Sequence, residues 1–222
     1  MDIDYKIEEI LDSIRNAKIV HPTTYDGHYS YIKECMKHTK KTGGLWIELG
    51  VYRGRTLNYL AAEKPNEAFF GFDSFEGLPE FWNNDNPMGH FSLRGIVPSG
   101  AIVGDNQPGN DLTVNTVPWK DNIKLIKGWF NETLPTFIES HSGDIDFVHF
   151  DADLYSSTKL AFDVFKNRIV PGTMLMFDEI TGYPEYREHE IKAFAEFLLE
   201  TNHKYVCQVI QPEWQACFII EE

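Results

Sequence analysis

Apolar positions in the first forty residues recur at helical spacing: Ile7, Ile10, Leu11 and Ile14 follow Asp4, and Tyr29, Ile32, Cys35 and Met36 repeat the pattern. Residues three and four apart share one face of a helix, so this stretch predicts two short helices, accessory to the rest of the chain and filling 1–42. From Leu45 the pattern changes. Short apolar runs alternate with helical ones: LWIEL then RTLNYLAAEK, AFFGFD, IKLIKG then NETLPTFIES, IDFVHFDA then STKLAFDVFKNRI, and GTMLMFDEI then REHEIKAFAEFLLE. Apolar runs this short predict buried strands, and the helical patterns between them supply the crossovers that parallel strands need. KYVCQVI and QACFII close the chain with no helix between them and predict an antiparallel hairpin. The expected fold is α/β: a doubly wound, mostly parallel, seven-stranded Rossmann-like sheet with a C-terminal antiparallel hairpin.

Residues 79–118 break this rhythm, with prolines at 79, 87, 98, 108 and 118 and glycines at 89, 95, 100, 104 and 109. No regular element is legible there. Loops of this length within a compact domain are functional or disordered. The aromatics Phe81, Trp82, Phe91 and Trp119 favour a substrate lid. At 222 residues the chain is expected to form a single domain, 1–222. Thirty-four acidic against 20 basic residues leave a net charge of −14, which repels phosphate backbones and anionic lipid and argues against nucleic-acid and membrane partners. Three cysteines without CxxC spacing suggest neither a disulfide framework nor a zinc site. The acidic opening MDIDYKIEEI lacks the basic character of a signal peptide, and no apolar run is long enough to span a bilayer, so a cytoplasmic protein is expected. A homo-oligomer is compatible with this composition.

An open sheet of this kind binds ligands at the carboxyl ends of its strands. After LWIEL come Glu48, Gly50 and Gly54 as ExGxxxG, leading into a helix near Arg55. The turn is sharp enough for backbone to approach a nucleotide-like cofactor closely. A dinucleotide fingerprint needs a middle glycine at the position Tyr52 occupies, which disfavours pyrophosphate. Asp73 ends the second strand, where a carboxylate can accept both hydroxyls of a ribose. An adenosine carrying no phosphate fits both features, although the glycines also suit a plain strand–helix turn and Asp73 a loop cap.

Further acids end later strands: Asp151 and Asp153 after FVHF, and Asp178 and Glu179 after MLMF. If these strands are neighbours, their ends lie roughly 5 Å apart, and gathered carboxylates with no His or Cys nearby favour Mg²⁺, with Mn²⁺ or Ca²⁺ as alternatives, over zinc. Strand-end aspartates also serve as turn residues and helix caps, Asp153 before YSST among them. His149 lies within an apolar strand and reads as a core histidine; His189 suits a solvated helix face, with the pocket lining as the alternative, and nothing in its spacing assigns His90.

The segments WIELGVYRGRTLNYLA, FFGFDSFEGLPEFW, KLIKGWFNETLP, FVHFDADLYSST and MLMFDE resemble, in order from about Trp46 to Phe197, sequences of the macrocin O-methyltransferase family, a branch of the class I S-adenosylmethionine methyltransferases. The resemblance implies the methyltransferase version of the sheet and S-adenosylmethionine as cofactor. It places Glu48 and Gly50 at the methionine part, Asp73 at the ribose, and Ser74, Gly128 and Trp129 near the adenine, with Tyr52, Gly54, Thr56 and Asp151 also in the cofactor site. It further implies Mg²⁺ held by Asp151, Asp178 and Glu179, with Asp153 as the catalytic base. Glu179 departs from the family, which more often has a second Asp there. The implied partner is a small-molecule hydroxyl acceptor, a sugar or glycosylated metabolite, methylated by direct displacement. Two alternatives stand beside this: a nucleotide-sugar glycosyltransferase, whose DxD metal motif Asp151-Ala152-Asp153 resembles, and a non-catalytic module that keeps the fold.

Overall fold

The computed structural model describes residues 2–20, 27–103, 116–212 and 214–222. Its elements in chain order are α1 (Ile3–Arg15), β1 (Lys18–Ile19), α2 (Gly27–Met36), β2 (Leu45–Leu49), α3 (Arg55–Glu63), β3 (Phe69–Asp73), β4 (Ala101–Ile102), β5 (Thr116–Val117), β6 (Ile123–Lys127), α4 (Phe130–Ser140), β7 (Ile145–Phe150), α5 (Tyr155–Phe165), β8 (Ile169–Phe177), α6 (Glu190–Thr201), β9 (Lys204–Gln211) and β10 (Gln215–Glu221). The main sheet runs β1-β9-β10-β8-β7-β2-β3-β6. Pairing is parallel from β8 through β6, and β10 lies antiparallel between β8 and β9. The expected strands and closing hairpin are all present.

The sheet has eight strands instead of seven. The extra one, β1, is two exposed residues pairing parallel to the edge of β9. An edge ladder this short uses backbone groups alone, so it leaves no apolar pattern in the sequence.

Alternation along each strand divides the core into two layers. Leu45, Ile47 and Leu49 of β2 join Val148, Phe150, Leu175 and Phe177 beneath α1, α4, α5 and α6. Trp46 joins Phe147, Met174, Met176 and Cys217 beneath α2 and α3. Helices α1 and α2 thus cover opposite faces, burying Ile7, Ile10 and Leu11 on one and Tyr31, Ile32, Cys35 and Met36 on the other. All three cysteines are buried and unbridged. Among the described residues no helix is long and apolar enough to cross a membrane.

In the 79–118 region the described residues form only the β4–β5 pair and hydrogen-bonded turns, such as Leu78 with His90. Residues 104–115 lie outside the described residues, so the lid expectation is only partly covered. Of its aromatics, Phe81 is exposed, Trp82 is buried against Tyr183, and Trp119 packs at Gly54 and donates its Nε1–H to the Pro98 carbonyl.

Candidate active site

Backbone pairing aligns the strand ends. The N–H of Gly50 donates to the Phe72 carbonyl at 3.0 Å, that of Asp151 to Leu49 at 2.9 Å, and that of Asp178 to Phe150 at 3.0 Å. A cavity of about 730 Å³ opens at this edge, within the usual range for a cofactor or small-molecule site.

The turn between β2 and α3 forms one wall. Gly50 has φ +90°, and a Cβ there would lie 1.7 Å from the Asp151 carbonyl oxygen, so only glycine lets the two strand ends approach this closely. Tyr52 also has positive φ, +44°, uncommon for a bulky residue. Asp73 holds this turn in place. Its Oδ2 accepts the N–H groups of Val51 at 2.8 Å and Tyr52 at 2.6 Å, and its Oδ1 accepts that of Phe75 at 2.6 Å. Burial pushes the Asp73 carboxyl above its ordinary range, and the three backbone bonds pull it back. A carboxylate offers about four lone-pair positions, so one remains for a ligand where the sequence led us to expect room for both ribose hydroxyls. Gly54, Thr56, Ser74, Gly128 and Trp129 line the same cavity.

Glu48 does not reach the cavity lining. It is buried behind it, with Oε1 3.0 Å from Nδ1 of His149. Burial raises the Glu48 carboxyl and the His149 bond opposes the rise. Parallel pairing of β2 with β7 sets Glu48 directly opposite His149 on the α2–α3 face, so the histidine of an apolar strand has a carboxylate partner.

The adjoining stretch of the lining, just beyond β7 and β8, is acidic. Oxygens of Asp151, Asp178 and Glu179 lie within 4.8 Å of one another, and Oε2 of Glu179 is buried with no hydrogen-bond partner. Burial, then repulsion from Asp178 and Asp153, pushes the Asp151 and Glu179 carboxyls well above their ordinary range. Burial and Asp178 likewise push Asp153 up to about 7, against a hydrogen bond with Glu179. An all-oxygen set whose members repel one another and leave one oxygen unpartnered fits a hard divalent cation. The expectation that no histidine lies near is corrected: Glu48, His149 and Asp151 form a second group within 4.8 Å, and His28 lies 3.6 Å from Asp178.

Asp153 lines the cavity, but not as part of an extended strand. Strand β7 ends at Phe150 and Asp153 has φ +62°, so strand alternation does not relate it to Asp151. The cap position of α5 belongs to Leu154, with no side-chain cap bond.

Three residues to which the sequence assigns no role complete the surroundings. His28 of α2 reaches the cavity, with burial pushing its imidazole below its ordinary range, and Nε2 stands 3.2 Å from Oγ1 of Thr56. Gln215, opening β10, donates to Oδ1 of Asp178 and lies 2.8 Å from Nδ1 of His28. Glu190 is fully buried at the start of α6, accepting from the Thr158 hydroxyl at 3.1 Å. Only Glu190 has a sequence signal, since it stands four and seven residues before Phe194 and Phe197, on the apolar stripe of its helix. His189 is half-buried against the rings of Trp82 and Tyr183 and does not line the cavity.

Among solved structures the chain is similar to CalS11, a calicheamicin methyltransferase, at 19% identity and TM-score 0.64 over 97% of this chain and 91% of that one. An apo structure describes CalS11 as a TDP-rhamnose 3′-O-methyltransferase. The O-methyltransferase NovP matches at 17% identity and TM-score 0.59, over 88% of this chain and 80% of its own. An O-methyltransferase from Bacillus cereus in complex with SAH matches at 13% and 0.53, over 98% and 91%. At these identities the likeness is one of fold, the methyltransferase version of the Rossmann-like sheet. No curated protein sequence is similar enough to count as a match. A family model described as macrocin-O-methyltransferase matches residues 27–203, most of the chain, and with the fold in agreement the chain belongs to the macrocin-O-methyltransferase family.

Proposed function

We propose that the protein is an S-adenosylmethionine-dependent O-methyltransferase that methylates a hydroxyl of a small molecule, a sugar or glycosylated metabolite, with a divalent cation at Asp151, Asp178 and Glu179. The observation that carries this reading is convergence: of the residues expected at the site, all but Glu48 line one cavity, the glycine turn and Asp73 together with the acids. Family membership supports methyl transfer over the glycosyltransferase alternative, and the acceptor class follows CalS11, which acts on a nucleotide sugar.

S-adenosylmethionine would supply a methyl group on a sulfonium, a strong electrophile that needs no covalent enzyme intermediate. A cation at the three carboxylates would supply positive charge beside the acceptor hydroxyl and make it easier to deprotonate; Mg²⁺ suits the oxygen donors, with Mn²⁺ or Ca²⁺ as alternatives. The remaining work falls to the chain. Asp73 fixes the turn and offers its remaining acceptor position to a ribose hydroxyl. Gly128 and Trp129 flank the adenine side. Asp153, which lines the cavity, would take the proton that the acceptor hydroxyl gives up on methylation. Positioning of oxygen against methyl contributes the rest of the acceleration. Calorimetric titration with S-adenosylhomocysteine, with and without Mg²⁺, tests cofactor and cation together. Saturable micromolar binding of the nucleoside is expected, and its absence under both conditions would overturn the proposal.

A further inference from the structure

We propose that His28 and Gln215 are positioning residues that set the Thr56 hydroxyl as a hydrogen-bond donor to the carboxylate of the cofactor's amino-acid end. The inference rests on the cofactor assignment proposed for this cavity and goes beyond it, because neither residue belongs to the glycine turn or the acidic wall.

Asp178 sets the polarity of the bonds, because its carboxylate oxygen is the acceptor in the contact with Gln215. Gln215 must therefore present its NH₂ to Oδ1 of Asp178, since the reverse amide orientation would set oxygen against oxygen. The same nitrogen lies 2.8 Å from Nδ1 of His28, so its second hydrogen points at that ring atom. Nδ1 then carries a lone pair and the ring hydrogen is on Nε2. Nε2 stands 3.2 Å from Oγ1 of Thr56, so the hydroxyl oxygen accepts there and its own hydrogen is directed elsewhere. Among the described residues nothing else takes that hydrogen, and Thr56 lines the cavity.

A donor at this point selects an acceptor atom on the ligand. Thr56 lies in the first turn of α3, where unpaired backbone N–H groups create positive potential, and Arg55, near enough to His28 to act on its charge, also lines the cavity. Of the two charged groups on the cofactor's amino-acid end, this surrounding favours the carboxylate over the ammonium. The chain of bonds joins α2, α3, the residue that follows β8, and β10, and His28 and Gln215 stand 187 residues apart.

The test is a double-mutant cycle read by binding of S-adenosylhomocysteine, with 5′-methylthioadenosine, which lacks the amino-acid end, as control. Thr56→Val is expected to weaken the first ligand about ten- to hundredfold, the worth of a hydrogen bond to a charged group. His28→Phe and Gln215→Met, which keep volume, each weaken it about three- to tenfold, and by less than about twofold in the Thr56→Val background. His28→Gln, whose amide reaches the Nε2 position, recovers most of the loss. Binding of 5′-methylthioadenosine is unchanged throughout. Equal losses for both ligands, or additive effects with Thr56→Val, would reduce His28 and Gln215 to packing and overturn the inference. Failure of the parent protein to bind S-adenosylhomocysteine would instead refute the cofactor assignment on which it rests.

Discussion

Replacing Asp73 separates holding the turn from holding a ligand. Its carboxylate accepts three backbone N–H groups at 2.6–2.8 Å. Hydrogen bonds to a charged acceptor are worth about 1.5–3 kcal/mol each. Burial already raises the Asp73 carboxyl, so the low end applies, and cavity water can rehydrate part of what an alanine leaves exposed. Asp73→Ala should therefore cost about 3 kcal/mol, or about 6–12 °C in melting temperature for a domain of this size. Asp73→Asn keeps one oxygen for Val51 and Tyr52 but turns an NH₂ toward the Phe75 N–H, a loss of about 2 kcal/mol. Affinity for S-adenosylhomocysteine should fall ten- to hundredfold in the alanine variant, roughly the worth of a charge-assisted bond to the ribose plus a loosened turn. Urea unfolding followed by calorimetric titration of the folded fraction measures both quantities. An alanine variant within about 0.5 kcal/mol of the parent would show that the three bonds do not hold the turn, and unchanged affinity would remove Asp73 from the cofactor site.

Asp153→Asn should lower turnover roughly 10²- to 10⁴-fold while leaving cofactor affinity near the parent's, because asparagine tolerates the left-handed backbone found there; normal turnover would send the search for the base elsewhere. Mg²⁺ should raise the melting temperature of the parent by relieving repulsion among Asp151, Asp178 and Glu179, and methyl transfer should stop in EDTA and return with Mg²⁺. Asp178→Asn should abolish the thermal shift, and full activity in chelator would dismiss the cation. Glu34, which accepts from Lys18 and Lys37 at 2.7 Å each, has its carboxyl pulled down to about 2 from an ordinary 4.5. Its folded value is depressed, so the stabilisation is present above about pH 4.5 and fades as pH falls toward 2; the melting gap between the parent and Glu34→Gln should narrow over that range, and a constant gap would refute the pairing.

Much of this protein can be read from its linear pattern because the forces that write the pattern are local. A strand buried on both faces must be apolar throughout, a helix on a sheet must be apolar along one stripe, and both rules read directly at LWIEL, MLMF and the helix of Phe194. Site residues at strand ends were legible for the same reason: once the parallel sheet is known, Asp73, Asp151 and Asp178 share an edge. The turn at Gly50 was legible as a close approach, although only the fold shows that its neighbour is the Asp151 carbonyl.

What tertiary structure decided were the partners. The family resemblance puts Glu48 at the cofactor, yet register sets it against His149, which reads alone as an ordinary core residue. Asp151 and Asp153 read in sequence as ending one strand, but the strand stops at Phe150, before either of them. His28 and Gln215 carry no local signal, because a histidine at the start of one helix and a glutamine at the start of one strand acquire meaning only when α2 folds across the end of β10. Periodicity records which face of an element is buried; which distant side chain completes a hydrogen bond there is set by the packing of segments far apart in the chain, and a one-dimensional pattern does not encode it.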